Sequence, residues 1–426
     1  MSKTNESLMQ RRVAAVPRGV GQIHPIFADH AKNSSVVDVE GREFIDFAGG
    51  IAVLNTGHLH PKVKAAVAAQ LDAFTHTAYQ IVPYEGYVTL AERINRVAPI
   101  AGLKKSAFFT TGVEAVENAV KIARSATGRS GVIAFSGSFH GRTMLGMALT
   151  GKVAPYKLSF GPMPGDIYHV PFPNAAQSVS VPDSLKALDL LFKCDIDPRR
   201  VAAIIIEPVQ GEGGFNITPP ALMTALRKVC DEHGILLIAD EVQTGAGRTG
   251  TFFATEQLGI VPDLTTFAKS VGGGFPISGV AGKAEIMDAI APGGLGGTYA
   301  GSPIACAAAL AVLKVFEEEK LLERSQAVGE RLKAGLREIQ AKHKVIGDVR
   351  GLGSMVAIEL FEGGDTHKPA AELVSKIVVR AREKGLILLS CGTYYNVIRF
   401  LMPVTIPDAQ LEKGLAILAE CFDELA

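Results

Sequence analysis

Continuous apolar stretches of strand length recur through the middle of the chain: 105–111 (KSAFFTT), 131–137 (GVIAFSG), 201–208 (VAAIIIEP), 234–240 (GILLIAD) and 264–270 (LTTFAKS). Their apolar residues run on without polar alternation, which marks strands covered on both faces, as in a parallel sheet held between helices. Helical patterns separate most of them, notably 112–128 (GVEAVENAVKIARSATG) and 220–234 (PALMTALRKVCDEHG). The alternation predicts an α/β domain around a mostly parallel sheet. From Ser302 to His343 the chain is rich in Ala and Leu and nearly free of helix breakers. That run is too long for one ordinary globular helix and reads as two helices or a kinked one. Beyond it, GDVRGLGSMVAIELF, GLILLSCG and NVIRFLMPV, flanked by helical patterns at 368–384 and 407–426, describe a smaller α+β unit. A hairpin-like stretch near the start, SSVVDVEGREFIDFAGG, is expected to pack with that unit. The expected organisation is an N-terminal segment, 1–56, contributing to the small domain, a large domain over 57–318, and the C-terminal small domain over 319–426. No internal repeat or low-complexity tract interrupts it.

Composition agrees with two real cores, since 426 residues at 47% hydrophobic are ample for a large and a small domain. The 43 basic and 43 acidic residues cancel, and no run of Lys and Arg would track a phosphate backbone, which points away from nucleic acid as a partner. The opening MSKTNESLMQRR lacks the apolar core of a signal peptide, and no apolar run nears the roughly 20 residues that span a bilayer. A cytoplasmic protein with no membrane partner is therefore expected. Cys194, Cys230, Cys306, Cys391 and Cys421 lie far apart with no C-x-x-C pair, which suggests neither a disulfide framework nor a metal site.

Chemistry enters at the strand ends. Glu207 closes one buried-looking strand and Asp240 the next, and α/β folds place ligand-contacting groups at the C-terminal ends of parallel strands. A strand-end acid also commonly caps the following helix or pairs with an arginine. Lys269 ends a third apolar run, so the three side chains converge on one sheet edge if the strands are neighbours. A lone lysine usually snorkels to the surface, but the small and apolar residues around this one give its ammonium little reason to be there. Burial makes a lysine nucleophilic toward carbonyls, as a Schiff base requires, and pyridoxal phosphate is the obvious carbonyl. An acid such as Asp240 would keep that cofactor's ring nitrogen protonated. The sequence FFTTGVEAVENAVKIAR runs from strand through a Thr-Thr-Gly turn straight into a helix. It offers either an anion site at the N–H groups of Gly112 and Val113 or an ordinary helix cap at Thr110 or Thr111. The loop GAGRTG (245–250) is literally G-x-G-x-x-G, which raises the alternative of an NAD-dependent dehydrogenase. Asp-Glu-Val-Gln-Thr stands between the strand and its first glycine, however, and puts negative charge where a pyrophosphate would lie.

The stretches IIIEPVQGEGG, LIADEVQTGAGRTG, TTFAKSVGGGFP and GGTYAGSPIACAAAL, in this order and spacing, resemble the subgroup III (class-III) pyridoxal-phosphate aminotransferases of fold type I, essentially from end to end. DFAGGIAVLNTGHLHPKV, FSGSFHGRT and YYNVIRFLMP are most similar to the bacterial members that take 4-aminobutyrate and 5-aminovalerate. The resemblance implies an α/β fold with a large pyridoxal-phosphate-binding domain and a smaller α+β domain built from both chain ends. It implies ping-pong transfer of an ω-amino group to 2-oxoglutarate, giving a semialdehyde and glutamate; a relative acting on ornithine or acetylornithine is the near alternative. By matching positions, Lys269 would carry pyridoxal 5′-phosphate as a Schiff base and move the proton. Asp240 would hold the ring nitrogen, Phe139 and Val242 would cover the two ring faces, and Gln243 would bond the ring hydroxyl. Glu207 would border the cofactor, while Gly112, Val113 and Thr298 would hold the phosphate. That threonine reaches in from a neighbouring subunit in the family, which implies a homodimer, or a tetramer of such dimers, with shared active sites. Arg142 would take the distal carboxylate and Arg399 the α-carboxylate of the keto acid. Glu212 would pair with Arg399 when that carboxylate is absent, and Ile51 would line the donor side. One departure stands out: relatives commonly read TGSEA where this chain reads TGVEA, so Val113 brings an N–H but no hydroxyl to the phosphate, and somewhat weaker cofactor retention is expected.

Overall fold

The computed structural model describes residues 3–426, so the first two residues of the expected segment 1–56 lie outside the described residues. A seven-stranded sheet carries the larger part of the chain, in the order Lys104–Phe109, Ser278–Lys283, Leu264–Phe267, Leu236–Asp240, Val201–Ile206, Gly131–Phe135, Ile167–Val170. From Leu264–Phe267 to Ile167–Val170 neighbouring strands run parallel; Ser278–Lys283 is antiparallel to both of its neighbours. The middle strands are buried almost throughout because both faces are covered. Ile204 and Ile206 pack with Leu222 and Leu226 of the helix Pro220–His233, while Ala203 and Ile205 pack with Val116, Ala119 and Ala123 of the helix Gly112–Thr127. Each buried Ile contributes about 1.5–3 kcal/mol.

The helix Gly112–Thr127 begins where the Thr-Thr-Gly turn predicts. Thr111 Oγ1 accepts the N–H of Glu114, and Glu114 returns a carboxylate oxygen to the N–H of Thr111 at 2.7 Å, closing a capping box. The long Ala/Leu run is two helices, Pro303–Glu318 and Leu321–Lys342, separated at Lys320, whose φ of +50° cannot continue a right-handed helix. The second helix covers an antiparallel sheet ordered Ile346–Leu352, Met355–Leu360, Val397–Phe400, Leu389–Cys391, together with the helices Ala371–Glu383 and Asp408–Leu425. A further sheet joins the two ends of the chain: Ala28–Lys32, Ser35–Asp38 and Glu43–Asp46 form a meander, and Leu386–Ile387 adds to its edge, parallel to Glu43–Asp46.

The GAGRTG loop is a packed structural turn. Arg248 is fully buried, and its guanidinium donates to the carbonyls of Met402 (2.7 Å) and Leu401 (3.3 Å), to Ser354 Oγ (3.2 Å) and to Asn55 Oδ1. Those partners bring together the loop, the N-terminal segment and the C-terminal sheet, and an arginine with no exposed surface is closed to a phosphate. Among the described residues no helix is long and apolar enough to cross a membrane, and no cluster of His, Cys, Asp and Glu could hold a metal.

Candidate active site

Several strands of the large sheet lead to one cavity of about 420 Å³ at the C-terminal edge of the parallel strands. Thr110 and Gly112 arrive from the first strand, Phe139 and His140 from the second, then Glu207, Asp240 and Lys269 from three adjacent strands, as their shared positions in the apolar runs predict. Lys269 sits just past its strand rather than in it. The strand ends at Phe267, and Lys269 opens a 3₁₀ turn with φ of +51°, a left-handed conformation that costs a non-glycine residue roughly 1–2 kcal/mol. Ser270 fixes that turn by donating its hydroxyl to the carbonyl of Ala52 at 2.6 Å. Of the three glycines that follow, Gly274 lines the cavity, whereas a side chain on Gly273 would meet Val312 at 2.7 Å.

Burial lowers the pKa of Lys269, and Arg399 adds to that effect; Glu212, Asp240 and Glu207 pull the other way. Asp240 is held on all sides: Oδ1 accepts from Thr266 Oγ1 (2.9 Å) and the N–H of Val242 (3.1 Å), and Oδ2 meets His140 Nδ1 at 2.7 Å. Glu207 accepts the N–H groups of Phe139 (2.9 Å) and Gly211 (3.1 Å), so it fixes two loops at the cavity wall. Burial is the main cause that pushes its pKa up to about 7, with Asp240 pushing the same way and His140 opposing. The folded chain thus holds this proton more tightly than the unfolded one. Its stabilising share is complete below the ordinary value of 4.5 and is lost as pH rises through about 7. Glu207→Gln cannot titrate, and it should remove up to about 3 kcal/mol of pH dependence between pH 5 and 7.5. Urea midpoints at those two pH values check this, and equal slopes in the two proteins would refute it.

Gly112, Val113, Val242 and Gln243 line the same cavity. The first N–H groups of the helix Gly112–Thr127 have no acceptor within it, and Gln243 Oε1 is buried without a partner. Val113 sits with its Cγ2 methyl against Gly141 and Gly146. Glu212 and Arg399 form a buried ion pair, with contacts of 2.5 and 3.4 Å. Burial would raise the pKa of Glu212, but Arg399, then Lys269 and Tyr156, hold it below the usual carboxylate range. Tyr156 donates its hydroxyl to Glu212 at 3.2 Å, meets the Phe139 ring at 4.8 Å with the two planes tilted by 56°, and lies under the guanidinium of Arg142 at 5.2 Å. Arg142 itself is exposed and reaches the cluster only through that ring. Ile51 is 43% exposed in a left-handed turn, and its neighbour Val53 takes the place on the cavity wall. Thr298 lies in an exposed stretch and is not on the cavity wall of this chain.

Sequence reasoning passed over His140, which lines the cavity, and Tyr156, which touches Glu212 and Phe139 of its wall. His140 stands in the same FSGSFHGRT stretch as Phe139, but nothing local signals that it meets Asp240, a hundred residues away.

The profile of the class-III aminotransferases matches residues 15–422. A 5-aminovalerate aminotransferase of Pseudomonas aeruginosa is 78% identical over 426 residues, covering 100% of both chains. A 4-aminobutyrate aminotransferase of Escherichia coli is 63% identical over 421 residues, covering 99% of each. Among solved structures, a transaminase from the marine bacterium Virgibacillus superposes with a TM-score of 0.92 at 29% identity over 98% of this chain and 99% of that one. An amine transaminase from an uncultivated Pseudomonas species, in its PLP-bound form, does so with a TM-score of 0.87 at 30% identity over 97% of each.

Proposed function

The chain belongs to the class-III aminotransferases, PLP-dependent transaminases, and on that premise we propose that it moves the ω-amino group of 4-aminobutyrate or 5-aminovalerate to 2-oxoglutarate. The observation that carries this reading is the buried Glu212–Arg399 pair beside Lys269. An ω-amino acid has no carboxylate next to its reacting carbon, whereas 2-oxoglutarate has one. A lone Arg399, at 4% exposure, would penalise the first substrate by several kcal/mol. Glu212 neutralises it for the donor and gives way to the keto acid, so one site serves both.

The cavity's donor set fits PLP. The free N–H groups of Gly112 and Val113 at a helix start suit its phosphate, and the unpartnered Oε1 of Gln243 suits its ring hydroxyl. Phe139 and Val242 offer apolar surfaces for the ring faces, and Lys269 supplies an amine whose charge burial disfavours. When bound, PLP draws electrons from the carbon that carries the amine, which makes the proton there removable. Lys269 takes that proton on Nζ and returns it, its neutral form favoured by burial. Asp240, whose two oxygens are held by Thr266, Val242 and His140, would be the residue that serves the cofactor's ring nitrogen and favours its protonated form. Glu207 keeps the Phe139 and Gly211 loops in register around the reacting atoms. Arg142 takes the donor's distal carboxylate at the Tyr156 side, and Ile51 borders the donor entrance. Thr298 completes the phosphate site of a second copy in a homodimer.

A donor panel with 2-oxoglutarate tests the reading. The kcat/KM values of 4-aminobutyrate and 5-aminovalerate should lie within about 200-fold of each other, because they differ by one methylene. Both should exceed those of ornithine and N-acetylornithine. Fastest turnover with either of the latter would overturn the assignment.

A further inference from the structure

The carboxylate that has to leave and rejoin Arg399 is mounted on Gly211–Gly214, where three of four residues are glycine. Such a backbone is the least able to hold a side chain in place by itself. It is pinned from outside instead. Glu207 takes the N–H of Gly211 (3.1 Å), Gly392 donates to the carbonyl of Glu212 (3.0 Å), and Asn216 Nδ2 donates to that of Gly213 (3.1 Å). Arg350 then closes on the carbonyl of Gly214 with Nε (2.9 Å) and Nη2 (2.5 Å) together. The other arm of its guanidinium, Nη1, is tied to Asp348 (2.8 Å) and Glu359 (2.7 Å), which fixes the direction of the fork. Gly214, with φ of +118°, leaves room for it, since a Cβ there would stand 3.3 Å from Nη2.

The register of the C-terminal sheet gives this arginine its meaning. Arg350 is opposite Ala357, and Ala357 is opposite Arg399, so the two arginines stand in one cross-strand row, roughly 10 Å apart on the same face, with only a small side chain between them. One holds the Glu212 side chain and the other the backbone two residues on. We propose that Arg350 is a positioning residue for the Glu212–Arg399 pair: by locking the glycine turn it confines the exchange of partners to the Glu212 side chain and so sets the balance between ω-amino and α-carboxylate substrates. This rests on the roles given above to Glu212 and Arg399.

Loosening the turn spreads the positions of the Glu212 carboxylate and weakens its hold on Arg399. Donors that need Arg399 neutralised then lose, and ligands that displace Glu212 gain. In Arg350→Lys, which can make only point contacts, the ratio of single-turnover kcat/KM for 5-aminovalerate over glutamate should fall about tenfold. The loss should be on the 5-aminovalerate side. Calorimetric binding of glutarate, an unreactive dicarboxylate, reads the same change without turnover and should tighten by about threefold. Glu212→Gln should move both readings further in the same direction, and adding Arg350→Lys to it should change little. Equal losses for both donors, or weaker glutarate binding, would overturn the proposal. If Glu212→Gln shifts the ratio and Arg350→Lys does not, the proposal alone falls; if Glu212→Gln shifts nothing, the reading of Glu212 falls with it. Should Arg350→Lys fail to fold, Asn216→Ala loosens the turn from its other flank and must lower the ratio too.

Discussion

Lys269→Ala is expected to cut turnover of 4-aminobutyrate by about four orders of magnitude or more, because a placed proton carrier alone is worth 10²–10⁴ and the nucleophile disappears with it. Among the described residues, Lys269 is the one amine that lines the cavity. Lys152 is the nearest rival, a buried lysine whose pKa burial lowers, but its ammonium is committed to the carbonyl of Gly392 at 2.8 Å and to the ring of Tyr395 at 3.8 Å. The intact protein should be yellow with PLP, bleach with 4-aminobutyrate and recover with 2-oxoglutarate. After borohydride treatment its mass should rise by one pyridoxyl phosphate, and the Lys269→Ala protein should show neither change. Turnover within tenfold of the parent, or a labelled lysine elsewhere, would remove Lys269 from the mechanism.

Arg248→Leu should cost about 4 kcal/mol of stability, read from urea midpoints, because it strands buried acceptors on several segments at once. The guanidinium serves Asn55, Ser354, Leu401 and Met402, and none of these has water to turn to. Arg248→Lys should recover only part of the loss, since a single ammonium cannot reach partners spread across a planar fork. A loss below about 1 kcal/mol for the leucine variant would mean that the bonds are made at no net gain.

How much of this was legible depended on whether the signal was local. The strand ends at Glu207, Asp240 and Lys269 could be read because each closes a run buried on both faces, and adjacent parallel strands must then present their ends together. The Thr-Thr-Gly turn marked a helix start for the same local reason, though it left the cap open between Thr110 and Thr111; the structure caps with Thr111. The strand Ser278–Lys283 escaped notice because SGVAGK lacks the bulk that signals a strand. Its small residues are imposed by the neighbouring strand, where a side chain on Gly279 would meet the Phe267 ring at 2.4 Å. Ile167–Val170 was missed as a half-exposed edge strand with a histidine in it. Lys269 is expected at the end of its strand, but the strand stops at Phe267 and Lys269 opens a left-handed turn beside a tether from Ser270 to Ala52, more than two hundred residues apart. Residues that act by contact across the fold, such as His140, Tyr156 and Arg350, carry no periodic mark. Arg142, Arg399 and Glu212 came from the resemblance, which also implied that Glu212 pairs with Arg399; in the structure these two are in contact.

The sheet that joins the two ends of the chain bears on how the protein is made. Asp46 pairs with Ile387, so the meander at the start of the chain emerges from the ribosome roughly 340 residues before its last strand. At 5–20 residues per second that interval is on the order of half a minute, during which one strand edge stands open to other chains. The large sheet draws its strands from residues 104–283 and needs nothing from the last hundred, so it can assemble first. Nascent chains stalled before residue 386 should therefore hold a formed large sheet together with a meander whose edge is unsealed, and would be the species that chaperones recognise.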